Sequence, residues 1–235
     1  MIHVNTILFD LDGTLLPMVQ DHFLKTYLGK LVAEIAPCGY EPKMLTATIF
    51  SGIEAMIRND GSKTNEAAFW DKFASVYGDK AYRDMPRFHA FYENTFPSVK
   101  SACGFDPMAN EVIKSAKERG YRVALATNPM FPDRATDERI RWAGLDRNDF
   151  DLVTTYENCH FSKPNRGYYL EVTEKLGVAP EDCLMVGNDV QDDILPTKAL
   201  GMEVFLLTRD LINKDDLDIS GYKQGNFVDL LSFIL

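Results

Sequence analysis

Nowhere in its 235 residues does the chain string together the ~20 apolar residues that a bilayer-crossing helix needs; its longest apolar runs are only a few residues. Positive charge is also scarce. Against 35 Asp and Glu stand 25 Lys and Arg, for a net charge of −10, which opposes binding to nucleic acid or to an anionic membrane face. Cysteine is sparse and scattered: Cys38, Cys103, Cys159 and Cys183 form no Cys-x-x-Cys pair. Their spacing supports neither a zinc site nor a disulfide framework. The opening residues Met1-Ile2-His3-Val4-Asn5 lack the basic leader and apolar region of a secretory signal, so a cytoplasmic location with reduced thiols is expected. Repeats and low-complexity segments are missing too, and nothing in the chain reports an oligomeric state. With 46% hydrophobic and 26% charged residues, what remains has the composition of a packed globular protein.

Two textures divide it. Val4 to Phe9 is an apolar, strand-like run that stops at acidic and turn-forming residues. From about Met18 to Phe96 the pattern is helical. Leu24, Leu28, Leu31 and Ile35 recur at intervals of three and four, as do Leu45, Ile49, Ile53 and Met56. Phe69, Phe73 and Val76 predict a third helix capped by Thr64, and Phe88, Phe91 and Phe96 a fourth. Beyond Cys103 helix and strand alternate. Asp106-Pro107 starts a helix that Gly120 stops; strands are expected at Arg122–Ala126, Asp151–Thr155, Cys183–Val186 and Glu203–Leu207. Helices are expected around Ala135–Ala143 and Gly167–Leu176, the latter opened by Pro164.

Short apolar strands alternating with amphipathic helices predict a doubly wound, Rossmann-like α/β parallel sheet. The expected core spans residues 1–16 and 100–235, and residues 17–99 form an all-helical insert between its first and second strands. Such sheets bind ligands beyond the carboxyl ends of their strands. Candidate residues should therefore stand just after strands, and four groups do: Asp10, Asp12, Gly13 and Thr14; Thr127 and Asn128; Lys163; and Asn188 and Asp189, with Asp192 and Asp193 close behind. A hydroxyl, a lysine and several carboxylates at one sheet edge suit a phosphoryl group and a hard cation. Each feature has a plain structural alternative. Asp-Gly often makes a turn, Thr127 can cap a turn before Pro129, and the acids can cap the helix after them.

In order and spacing these residues resemble the haloacid-dehalogenase superfamily, whose members carry Asp-x-Asp-x-Thr, a Thr or Ser, a Lys and a terminal acidic motif. The helical insert resembles the family's C1-type cap. The resemblance implies a magnesium-dependent phosphatase acting on a small phosphorylated metabolite, with Asp10 as nucleophile and Asp12 as a general acid–base of raised pKa. It further implies that Thr127 and Lys163 act on the phosphoryl group and that Gly13, Thr14 and Asn128 meet the substrate. Mg2+ would be held by Asp10, the Asp12 carbonyl and Asp189, with Asn188 and Asp193 in support. The family's acidic motif fits with Asp193 as its second acid and one extra residue in the loop; pairing Asn188 with Asp192 is the other register. A phosphomutase or a catalytically silent phospho-ligand-binding protein would use the same fold. Dehalogenases, with one catalytic carboxylate and no magnesium, and receiver modules, half this length and without an insert, fit less well. Specificity is expected from the insert, read as a mobile cap, and from the loop Leu15 to Asp21. His22, on an amphipathic helix, reads as structural rather than catalytic.

Overall fold

The computed structural model describes residues 4–234. Six parallel strands make one sheet: β1 (Thr6–Phe9), β2 (Arg122–Leu125), β3 (Leu152–Val153), β4 (Cys183–Gly187), β5 (Glu203–Leu207) and β6 (Lys223–Gly225). Their order is β3-β2-β1-β4-β5-β6. The chain therefore builds outward from β1 on one side and then resumes on the other. The crevice at that reversal, beyond the ends of β1 and β4, is where such sheets hold ligands. Register aligns the ends, with Phe9 beside Leu125 on one side and Val186 on the other.

Strand alternation assigns the two faces. Ile7, Phe9, Val123, Leu125, Leu184 and Val186 pack under helices α5 (Met108–Glu118), α6 (Asp133–Trp142) and α9 (Phe227–Ile234). Leu8, Ala124, Cys183 and Met185 pack under α7 (Arg166–Leu176) and the turn that follows β4. Between β1 and β2 lie the four helices of the insert: α1 (Gln20–Ile35), α2 (Pro42–Ile57), α3 (Asn65–Tyr77) and α4 (Lys80–Asn94). Thr64 caps α3 by accepting from the Ala67 amide (3.2 Å). The chain leaves and re-enters the α/β layer side by side: Met18 bridges Cys103, and the Gly104 amide donates to the Pro17 carbonyl (2.7 Å).

Several local expectations change. Phe96 does not continue α4; it opens a 3-10 stretch, Phe96–Ala102, because Pro97 disfavours the helical conformation of the residue before it. Pro164 does not open α7. Asn165 caps that helix by accepting from the Gly167 amide (2.8 Å), so Lys163 lies in the loop ahead of it. The third strand shrinks to two residues as Thr154 turns its hydroxyl onto the Thr127 carbonyl (2.8 Å). The acidic loop after β4 winds into a π-helical turn, Val190–Ile194, a device found mostly at functional sites.

The insert shares one apolar core with the sheet's first face. Phe96 stacks on Trp142 (5.1 Å between ring centroids), and Tyr27 meets Phe131 edge-on (5.3 Å). The buried Asn65 amide group donates to the Pro129 and Phe161 carbonyls and to the Ser162 hydroxyl (3.2, 3.1 and 3.1 Å). Opening of the insert as a mobile cap would have to break these ties and strip a buried amide of its partners. Phe96→Ala should therefore cost about 3–5 kcal/mol and loosen insert and core together. Urea unfolding followed by far-ultraviolet circular dichroism would test it; a loss under 1 kcal/mol, or a separate transition for the insert, would contradict it.

Candidate active site

Asp10 is the first residue past β1, and its amide donates to the Val186 carbonyl (2.9 Å), which continues the ladder onto β4. The chain then folds back on itself. Gly13 takes φ +86, and its amide donates to the Leu16 carbonyl (2.8 Å). A β-carbon at Gly13 would stand 2.4 Å from the Asn188 side chain, so glycine is required by conformation and by space.

Lys163 is buried at the centre of the cluster. Its ammonium donates to Asp10 Oδ1 (2.8 Å) and to Asp193 Oδ1 (2.6 Å). Burial alone would push Lys163 down, but the two carboxylates outweigh it and hold the lysine well above its ordinary value. Asp193 Oδ2 accepts from the Asn188 and Asp189 amides (3.1 Å each). Burial pushes the Asp193 carboxyl up while Lys163 pulls it down. Both its oxygens accept and neither donates, so the ionised form is the one that fits. A β-carbon at Gly187 would fall 2.2 Å from Asp193 Oδ2, and only glycine lets this carboxylate lie against the strand end.

Asp12 faces a different partner. Its Oδ2 is ion-paired with Nη1 of Arg139, a fully buried residue of α6 that also donates to the Ala135 carbonyl (3.3 Å) and the Thr136 hydroxyl (3.2 Å). The guanidinium lies over the Phe131 ring, 4.5 Å from its centroid. Asp12 Oδ1 is buried with no hydrogen-bond partner among the described residues. Burial raises the Asp12 carboxyl; Arg139 opposes that shift and the Asp10 charge adds to it, for a net rise. An unpartnered buried carboxylate oxygen costs ~1–3 kcal/mol, and a proton on it or a hydrogen-bonding ligand relieves that cost.

Thr127 follows β2 with its carbonyl pinned by the Thr154 and Tyr168 hydroxyls (2.8 Å each), and its own hydroxyl meets no protein partner among the described residues. Asn128 accepts from the Lys163 amide through Oδ1 (3.3 Å), while its backbone amide has no protein acceptor among the described residues. A cavity of about 270 Å3 gathers Asp10, Asp12, Thr127, Asn128, Lys163, Asn188, Asp189, Asp192 and Asp193 in its wall. The insert supplies Met18, Gln20, Asp21, Phe23 and Leu24 to the same wall. His22 is exposed and takes no part in it.

Two expected substrate contacts lie elsewhere. Thr14 is fully buried and donates its hydroxyl to Asn188 Oδ1 (2.9 Å), and Gly13 has its amide engaged by Leu16. Both shape the loop instead of facing a ligand, because the tight reversal after Asp12 turns them inward. Asn188, expected to support a metal, has its side chain committed as well: Oδ1 to Thr14 and Nδ2 to the Asp210 carbonyl (2.6 Å). Asp189 Oδ1 caps the π-helical turn through the Gln191 and Asp192 amides (2.9 Å each), which leaves Oδ2 for other work. Asp192 lines the cavity, its carboxyl raised by burial and then by the Asp189 charge.

Sequence reasoning missed Arg139, Tyr168 and Tyr169. The tyrosines on α7 tie down two ligand-facing loops, Tyr168 through the Thr127 carbonyl and Tyr169 through the Asp192 carbonyl (2.6 Å). For Arg139 the only available signal was its place on the apolar side of α6, between Ala135 and Trp142, where an arginine needs a buried anion.

Among the described residues no three His, Cys, Asp or Glu side chains converge as a ready-made metal cage. Magnesium needs none, since it keeps several waters and takes one or two carboxylates and carbonyls. Six aspartates and a single lysine line the cavity; a phosphate dianion enters such a wall only with a cation to offset the charge. The donors present are hard oxygens, so they fit Mg2+.

The chain is similar to many known proteins. A model of the haloacid dehalogenase-like hydrolases matches residues 4–201. A phosphoglycolate phosphatase of Aquifex aeolicus is 28% identical over 207 residues, covering 86% of this chain and 84% of its own. Among solved structures, a HAD phosphatase from Thermococcus onnurineus covers 98% of both chains with a TM-score of 0.61 at 19% identity. A 2-haloacid dehalogenase from Pseudomonas syringae pv. Tomato also covers 98% of both, with a TM-score of 0.65 at 16% identity. The structural likenesses carry the fold alone, whereas the family match runs through all four strand-end groups, and the chain belongs to the haloacid dehalogenase-like hydrolases.

Proposed function

We propose that the protein is a magnesium-dependent phosphatase that hydrolyses a small-molecule phosphate monoester through an aspartyl phosphate on Asp10. One observation carries the reading: two carboxylates share a cavity, each with one oxygen held by its own cation and the other unclaimed. Lys163 takes Asp10 Oδ1, which leaves Oδ2 as the nucleophile; Arg139 takes Asp12 Oδ2, which leaves Oδ1 to carry a proton. A haloacid dehalogenase has no use for the second carboxylate. The Aquifex relative's name supports phosphatase chemistry.

The geometry suits two displacements. Asp10 Oδ2 bonds to phosphorus as the ester P–O bond breaks, and the proton on Asp12 Oδ1 passes to the leaving alkoxide. Water then bonds to phosphorus, Asp12 takes its proton, and the P–O bond to Asp10 breaks to return the carboxylate and free phosphate. The Thr127 hydroxyl, the Asn128 amide and the Lys163 ammonium are the donors available to phosphoryl oxygens. Asp10, the Asp12 carbonyl and Asp189 Oδ2 would hold Mg2+, which supplies positive charge to the transferring group. Residues 17–99 act as the cap that walls the cavity and excludes bulk water.

Asp10→Asn should abolish turnover of p-nitrophenyl phosphate by several orders of magnitude with the fold intact, and Asp12→Asn should slow it by ~10²–10⁴-fold through lost proton transfer. Retention of most activity by Asp10→Asn would rule out the covalent route. A chelator should silence the enzyme and added magnesium restore it. Asp189→Asn keeps the cap of the π-helical turn and removes one charge, so it should raise the magnesium concentration for half-activation more than Asp192→Asn does. The opposite ranking in a metal titration would move the ligand to Asp192. Arg139→Met leaves Asp12 unheld and should lower kcat at least ~10-fold with little change in KM. An equal rise in KM would instead make Arg139 a substrate-binding group.

A further inference from the structure

A second cavity, of about 240 Å3, lies between the insert and the core and shares Leu24, Met130 and Phe131 with the wall of the Asp10 cavity. Interiors are close-packed and voids larger than a water are few, so an apolar space of this size beside a reaction centre asks for an occupant. From this space we infer that the substrate's organic part is an uncharged, apolar body, aryl or branched alkyl, that extends from the phosphoryl group at Asp10 past Leu24 and Phe131. The inference rests on the phosphatase reading and narrows its substrate class.

Charge supports it first. Among the described residues the second cavity's lining contains no Asp, Glu, Lys or Arg, and its one basic group is the half-buried imidazole of His89. Its hydroxyls are neutral: Tyr27 and Tyr92 bond to each other (2.7 Å), burial pushing Tyr27 up to about 12 and Tyr92 well above its ordinary value. Among the described residues the one Lys or Arg lining the Asp10 cavity, Lys163, is already shared by Asp10 and Asp193. A substrate with a second anionic group, such as a carboxylate or another phosphate, would therefore face aspartates on one side and, on the other, desolvation offset by no fixed cation, only by the His89 imidazole and one indole N–H. An apolar body meets neither cost, and its removal from water favours binding.

One polar atom in the lining stands out. Trp70 is 4% exposed, and its indole Nε1 has no hydrogen-bond partner among the described residues. The Tyr156 hydroxyl stands close to it, near enough for the indole to oppose the rise that burial imposes on the phenol. Apolar ligand sites commonly carry a few such donors that fix orientation. An ether, carbonyl or ring face on the substrate would satisfy the indole N–H without adding charge.

The test compares 1-naphthyl phosphate, phosphoglycolate and methyl phosphate, each with Mg2+. The wild-type kcat/KM for 1-naphthyl phosphate should exceed both others by roughly tenfold or more, chiefly through KM. Ile53, half-buried in the lining, is the position to fill. Ile53→Trp, checked for folding by its thermal transition, should cut the ratio of naphthyl to methyl phosphate at least tenfold. Calorimetric titration of the Asp10→Asn protein with 1-naphthyl phosphate and phosphoglycolate reads binding apart from turnover. Tighter binding of the naphthyl ester without turnover of any ester by the wild type would support the cavity and overturn the phosphatase reading. Equal or tighter binding and faster turnover of phosphoglycolate would overturn the cavity's role and leave the phosphatase intact.

Discussion

A single buried ammonium organises this protein. Lys163 lies between Asp10 and Asp193, and Asp193 reaches through its other oxygen to the amides after β4. Three segments far apart in the chain thus converge on one charge: the end of β1, the loop ahead of α7, and the turn after β4. Removing three charges from water costs several kcal/mol per ion, and only close mutual pairing with further hydrogen bonds offsets it. The same arrangement leaves one Asp10 oxygen without a donor among the described residues. Fold and reactivity are therefore linked at the lysine.

Around that cluster the structure spends its buried polar groups on holding loops still. Asn188 ties Thr14 to the Asp210 carbonyl, and Tyr168 and Tyr169 hold the loops after β2 and β4. Arg139 does the same for Asp12 from beneath the insert. A site that must stabilise developing charge benefits from donors already in place, because reorganising them during the reaction would raise the barrier. The insert contributes a wall by the same logic. Asn65 and the Phe96–Trp142 stack join it to the core, so the apolar space beside Phe131 lies between two parts that pack together.

Much of this was legible from residues alone. Periodicity located α1, α2 and α3, and short apolar runs located β1, β2, β4 and β5, because those segments bury one regular face or are buried throughout. Their order implied a parallel sheet with strand ends facing one way. The residues after those ends, Asp10, Asp12, Thr127, Lys163 and Asp189, do meet in one cavity. Less regular pieces escaped notice. β6 is three polar and glycine residues that borrow their pairing from β5, and the π-helical turn exists because Asp189, Asp193 and Lys163 demand that spacing.

What the sequence by itself determined, then, is the alternation of elements and the strand-end positions of the reactive groups, since both follow from local periodicity and chain direction. Tertiary structure decided how each polar atom is used. Thr14 and Gly13 read as ligand contacts until the reversal after Asp12 turned them inward onto Asn188 and Leu16. Arg139 reads as one more charge on a helix until α6 packs beneath the Asp10–Asp12 loop and buries it against Asp12. Which oxygen is held and which is left free depends on groups more than a hundred residues apart, and no local pattern encodes a distance of that kind.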